Sequence, residues 1–150
     1  KEAKAFIERY FERMPAVAAW IEATKEQAVK EGLVRTHWGR IRTIPELESS
    51  NAQFRNAGLR VAVNTVVQGT AADLMRRAMV RLHRALEAEG LRARLLLQVH
   101  DELLVEAPPK EVETASALLK EAMEGADDLG PLDVKLAAEV RSGQSWLEAN

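Results

Sequence analysis

Apolar and polar positions follow two rhythms along this chain, one helical and one alternating. Phe6, Ile7, Tyr10, Phe11 and Met14 recur at spacings of three and four, which marks one face of an amphipathic helix. Pro15 interrupts the pattern, which resumes through Val17, Trp20 and Ile21, so Pro15 belongs at a kink or in the first turn of a second helix. Gly32, just after Lys30, ends that helix. The aromatic side chains read as core packing. A far longer helix is expected from about Phe54 to about Ala88, stopped by Gly90. Leu59, Val63, Val66, Val67, Leu74, Ala78 and Leu82 supply its slowly drifting apolar stripe. Beyond Pro108-Pro109 a further helix carries Val112, Ala115, Leu118, Leu119 and Ala122 on its apolar face.

The alternating rhythm predicts strands. Residues 33–39 and 40–44 read as two short strands around Gly39, closed by Pro45. Residues 46–51 are polar, short and loop-like, and form the one plausible internal linker. The apolar runs Leu95–Leu97 and Leu103–Val105 read as two buried strands. A reversal between them puts His100, Asp101 and Glu102 at the tip or edge of a hairpin. Residues 125–131 are a loop. Leu132, Val134, Leu136 and Ala138 alternate with polar residues, which predicts a half-buried strand antiparallel to the hairpin. Residues 142–147 form a terminal turn anchored by Trp146. Helices on the back of an antiparallel sheet make the expected class α+β.

Length and composition narrow the setting. With 150 residues, 47% of them hydrophobic, the chain is about one domain with a real core. It has no cysteine, which excludes disulfides and thiolate metal sites and favours an intracellular setting. No apolar run approaches the roughly 20 residues that span a bilayer, and Lys1-Glu-Ala-Lys-Ala is neither signal nor transit peptide. That opening reads as a helix already under way, as in a chain cut from something longer.

The net charge of −2 conceals segregation. Residues 1–34 are neutral, residues 35–94 carry eleven arginines for a net +6, and residues 95–150 are net −8. A middle third whose positive charge is all arginine suits phosphate or nucleic acid, because the guanidinium offers a planar fork to phosphate oxygens. A solvated helix face would look similar.

Two constellations carry candidate chemistry. Asp101 and Glu102 are adjacent carboxylates inside an apolar stretch, where a buried charge needs a compensating partner. A divalent cation would serve, and magnesium prefers oxygen donors alongside substrate phosphates. The plainer reading is a turn in which Asp101 bonds local backbone and Glu102 faces water. The second constellation is Arg60, Asn64 and Gln68, at i, i+4 and i+8 on the long helix. Guanidinium and amide donors in one file can test the minor groove, whose acceptors look alike for every base pair. Alternatively, Asn64 and Gln68 satisfy backbone groups at a distortion around Gly69. Arg40 and Arg42 have the spacing that puts both on one strand face.

Asn64-Thr-Val-Val-Gln-Gly-Thr-Ala-Ala-Asp73, followed by Gln98-Val-His-Asp-Glu102, resembles the C-terminal part of a family A DNA polymerase of the bacterial DNA polymerase I type. Arg35-Thr-His-Trp-Gly-Arg-Ile-Arg-Thr-Ile-Pro-Glu-Leu47 is similar to that family's Gly-Arg-Arg-Arg-x-x-Pro-x-Leu segment, and Gly143-Gln-Ser-Trp146 to its last residues. Order and spacing agree, so the resemblance covers essentially the whole chain.

The resemblance implies a DNA-directed DNA polymerase using two magnesium ions, with an antiparallel palm sheet backed by helices, a helical fingers remnant and a small β-hairpin. Residues 1–50 would end the fingers and 51–150 would be most of the palm. Asp101 would bind metal, with Glu102 supporting it. His100 would touch the primer end, Arg60, Asn64 and Gln68 would track the primer–template minor groove, and Arg42 would lie near the template backbone. The implied partners are primer–template DNA, deoxynucleoside triphosphates and an upstream part of the polymerase. No membrane partner is expected, and the setting would be the cytoplasm of a bacterial or phage-infected cell.

The second metal-binding aspartate and the nucleotide-binding fingers helix lie upstream in the family, so the isolated chain is expected to be inactive. Ile41, Leu59 and Val66 depart from residues common in the family (Arg, Glu and Pro); the first two weaken the template-contact and ion-pair assignments but leave the metal site untouched. Two competing classes are a non-catalytic nucleic-acid-binding module derived from a palm and a metal-dependent hydrolase. The hydrolase lacks the i, i+4 helical ligand spacing of a zinc protease.

Overall fold

The computed structural model describes residues 2–149. Helices α1 (Glu2–Arg13) and α2 (Pro15–Glu31) are followed by strands β1 (Leu33–Arg35) and β2 (Ile41–Thr43). A 3₁₀ turn, Pro45–Glu48, precedes the long helix α3 (Ala52–Ala88). Strands β3 (Arg94–Val99) and β4 (Glu102–Glu106), helix α4 (Val112–Glu124) and the short α5 (Trp146–Ala149) complete the order. Both sheets are antiparallel pairs, β1–β2 and β3–β4, and the class is α+β. No helix among the described residues is long and apolar enough to cross a membrane. The chain divides into two compact units, Lys1–Thr70 and Ala71–Asn150. Helix α3 starts in the first and ends in the second.

In the first unit Pro15 opens α2 rather than kinking a single helix, since its missing N–H falls where no intrahelical acceptor exists. Gly32 ends α2 in the left-handed region, φ 68°, and its N–H bonds Ala28 O at 2.8 Å. Gly39, at φ 84°, turns β1 into β2. The core is small: Ala28, Val34, Ile44 and Ala62, joined by Leu47, Val61 and Val66. Here α3 presents little bulk, and its buried face runs through Gly58 and Ala62. Gly58 has Ile44, Leu47 and Glu46 against its Cα. The 3₁₀ turn, where a plain loop was expected, follows from Leu47, whose half-buried side chain packs on this core. The aromatic helix face departs further from expectation. Helix α1 buries no residue, and Phe6 (66% exposed), Tyr10 and Trp20 all face outward. Residues 2–70 contain no element that covers this face. Val67 is likewise exposed rather than part of the buried stripe.

The second unit has the larger core. Ala78, Leu82 and Leu86 of α3 meet Ala93, Leu103 of β4, and Ala115 and Ala122 of α4. Small alanines let helices and sheet approach closely, and a fully buried leucine such as Leu82 contributes about 1.5–3 kcal/mol. The Glu111 carboxylate accepts hydrogen bonds from Arg92 N (2.8 Å) and Ala93 N (2.9 Å), fixing the start of β3 against α4. The hairpin is not doubly buried as expected. Leu103 is buried, but Leu96 and Leu97 are 48% and 41% exposed. A two-strand sheet has one face toward α3 and α4, and a register shift between Leu95 and Leu97 turns this part of β3 outward.

The strand expected at residues 132–138 does not form. The segment keeps Leu132, Leu136 and Ala138 half-buried, with Leu136 on the core, but Val134 is 74% exposed, so the expected alternation breaks there. Its backbone, however, is held by carboxylates rather than a ladder, with Leu132 N on Asp127 Oδ2 (3.0 Å) and Ala138 N on Glu124 Oε1 (3.1 Å). Nor does Trp146 anchor the C-terminus: it is 46% exposed, and Leu147 is 89% exposed.

Candidate functional site

The candidate residues fall into two groups, one in each unit. In the first unit α3 is capped by Asn51, whose Oδ1 accepts from Gln53 N at 2.8 Å. Arg55 Nη1 donates to the Ser49 and Ser50 carbonyls (2.8 and 2.9 Å), holding the preceding loop on the helix. Two close contacts fix the β1–β2 turn against the helix. Thr70 Oγ1 accepts from His37 N at 2.9 Å, and Arg40 Nη2 donates to Gly69 O at 2.9 Å. A Cβ on Gly69 would stand 2.8 Å from Thr36 Cγ2, so the approach needs glycine here.

With its back packed this way, α3 presents Arg60, Asn64 and Gln68 outward. All three are exposed, and their side chains bond nothing among the described residues. The helix continues unbroken through Gly69. The alternative in which Asn64 and Gln68 repair a backbone distortion therefore fails, and the side chain that reaches the Gly69 carbonyl is that of Arg40. Arg42 lies in β2 opposite Val34, exposed and without an ion pair among the described residues. The expectation that Arg40 and Arg42 share a strand face is corrected. Arg40 precedes β2, and its guanidinium is committed to α3.

In the second unit the hairpin reverses at His100 and Asp101. His100 takes φ 54°, the one positive φ at a non-glycine residue among those described. A β-carbon is disfavoured there, and such strain persists only where neighbours enforce it. Gln98 Nε2 donates to His100 O at 2.8 Å and closes the turn. This role was not read from the sequence, although a lone amide at the end of an apolar strand was its signal. His100, Asp101 and Glu102 are thus brought together, all exposed, with neither carboxylate in an ion pair among the described residues.

Hard carboxylate oxygens pointing into solvent suit magnesium, which keeps several waters and takes one or two carboxylates. No group of three or more His, Cys, Asp or Glu side chains able to hold a metal occurs among the described residues. The hairpin tip by itself brings two carboxylates together.

The described residues thus present a carboxylate-bearing hairpin tip and, in the other unit, a helix face of unpaired amides and arginine. Comparison with known proteins makes this specific. The chain matches DNA polymerase family A over residues 1–148, and it belongs to that family. It is 54% identical over 149 residues to the thermostable DNA polymerase I of Thermus filiformis, covering 99% of this chain and 17% of the relative. It is 45% identical over 150 residues to DNA polymerase I of Pseudomonas aeruginosa, covering 100% of this chain and 16% of the relative. Among solved structures, the POL domain of Pol1 from M. smegmatis, in complex with DNA primer-template and dNTP, superposes with a TM-score of 0.92 at 44% identity. That match covers 99% of this chain and 26% of that one. The chain thus spans about one sixth of the length of these relatives.

Proposed function

We propose that this chain is the primer-end-holding and partly catalytic segment of a DNA-directed DNA polymerase. Residues 1–50 are read as the end of its fingers and 51–150 as most of its palm. Asp101 would hold magnesium through its carboxylate oxygens, with Glu102 supporting that charge. When bound, magnesium supplies Lewis-acid stabilisation of the attacking and leaving oxygens of nucleotidyl transfer.

The chain's own residues do the rest. The Arg60 guanidinium and the Asn64 and Gln68 amides donate to minor-groove acceptors of primer–template DNA, holding the duplex without reading its sequence. His100, on the same turn as Asp101, presents its imidazole to the primer end. Arg42 offers a guanidinium to the template backbone. Two ions need a second carboxylate-bearing segment of the polymerase, and the deoxynucleoside triphosphate needs cationic groups beyond these. The purified 150-residue chain is accordingly expected to show no primer extension, and any extension by it would refute that division of labour.

The observation that carries this reading is the acidic tip, two exposed carboxylates in no ion pair among the described residues, in a chain of this family. Its test is a chimera in which residues 1–150 replace the matching segment of the Thermus aquaticus polymerase, a relative 52% identical over 149 residues. Asp101→Ala in that chimera should lower primer extension by about 10³-fold or more while leaving primer–template affinity within about threefold. Retained synthesis would instead favour a nucleic-acid-binding module.

A further inference from the structure

We infer that the duplex-contacting face of α3 starts at Gln53 and Asn56, about two turns and one turn before Arg60. This rests on the reading proposed above. At about 100° per residue, Gln53 falls midway around the helix between Arg60 and Asn64, and Asn56 falls about 40° beyond Arg60. Both are exposed, and neither side chain bonds anything among the described residues. Their neighbours differ: Asn51 caps the helix, and Arg55 is held by two loop carbonyls. The first turns are therefore fixed from the side while the two amides stay unoccupied.

The buried line through Gly58 and Ala62 lies on the opposite side. The solvent face thus presents Gln53, Asn56, Arg60, Asn64 and Gln68, with exposed Val67 among them. From Ala52 to Ala72 the chain has no acidic residue. An ordinary solvated helix face mixes both signs of charge, whereas a face of amides and arginine without carboxylates is suited to phosphodiester oxygens and groove acceptors. Gln53 to Gln68 spans about 22 Å at 1.5 Å per residue. That is about six base-pair steps at 3.4 Å, against about three to four for Arg60 to Gln68. Gln53 and Asn56 would hold the older duplex, farther from the growing end.

The reach can be measured in the chimera by equilibrium fluorescence anisotropy, using primer–templates with duplexes of about 12 and about 4 base pairs. The Gln53→Ala/Asn56→Ala variant should bind the long duplex about 3- to 10-fold more weakly and the short one within about twofold. Gln53→Glu/Asn56→Asp should weaken long-duplex binding more than about tenfold, since carboxylates would face phosphates. An unchanged melting temperature would show that the cap and fold persist. Arg60→Ala should weaken binding to both duplexes. If Arg60→Ala weakens binding but the amide variants stay within about twofold on the long duplex, the inference is wrong and the groove reading stands. An equal loss on both duplex lengths also overturns it. If Arg60→Ala has no effect either, the reading of α3 itself falls.

Discussion

Helices α1 and α4 make an instructive pair. Each is a strongly amphipathic helix of twelve or thirteen residues. Helix α4 lays its apolar face on a core made by α3 and the β3–β4 hairpin, burying Ala115 and Ala122. Helix α1 is richer in large apolar side chains and buries none of them. Periodicity reports that a helix has an apolar face; whether the same chain covers that face is a separate question. Helix α4 packs on α3 and the hairpin of its own unit, while the neighbour α1 meets most within its unit is α2.

The sharpest way to break that comparison is to truncate a side chain in each region. Leu82 is fully buried in the core beneath α4. Leu82→Ala should cost about 2–5 kcal/mol, the lost transfer energy plus the cavity left behind. Phe6→Ala removes a larger side chain that is 66% exposed and should change stability by no more than about 0.5 kcal/mol. Denaturant titration of the two variants measures both. Comparable losses would mean that the α1 face is covered in solution.

A smaller effect sharpens the contrast within α3 itself. Gly69 sits in a helix, where alanine is ordinarily favoured by about 1 kcal/mol. Here a Cβ would meet Thr36 Cγ2 at 2.8 Å, and Thr36 is buried. Gly69→Ala should therefore destabilise by about 1–2 kcal/mol. Thr36→Ser keeps the hydroxyl that accepts from Arg40 N and removes the obstructing methyl. The double variant should recover that loss in thermal melts, whereas additive losses would show that the contact is not the cause.

How much of this was legible beforehand depended on whether a feature was local. The ends of α3 were readable because Gly90, at φ 65°, stops it by backbone chemistry alone. The i, i+4, i+8 file needed only helical geometry, and its exposure followed. Residues 132–138 were misread because alternation says which side chains share a face, whereas a strand also needs a neighbour for its N–H groups. Those of Leu132 and Ala138 found carboxylates instead. Trp146 was misjudged for a similar reason, since a large apolar residue anchors only where something receives it. At the site, the residue types of the hairpin tip were plain in the sequence. The left-handed turn at His100 and the Gln98 bond that closes it were not, because histidine's tolerance of that region does not say at which position it is used.

Even within the well-packed unit one contact is purely electrostatic, and it should give the smallest and most condition-dependent effect. Asp128, in the loop after α4, accepts hydrogen bonds from Arg77 and Arg81 of α3. The Arg77 hydrogen bond holds its carboxyl below the usual carboxylate range, partial desolvation opposes this, and Arg81 adds to the lowering. A carboxylate whose folded pKa is depressed stabilises the fold above the unfolded value, here near 3.8, and that contribution disappears as pH falls through the folded pKa. Asp128→Asn should therefore lower the melting temperature slightly at pH 7. The gap from the parent should close as the pH is taken from about 5 down past 3. High salt should narrow the same gap at neutral pH, because Asp128 is 44% exposed and its charges are screened. A gap that stayed constant across both titrations would show that the loop is held by packing, and that the two arginines merely sit beside it.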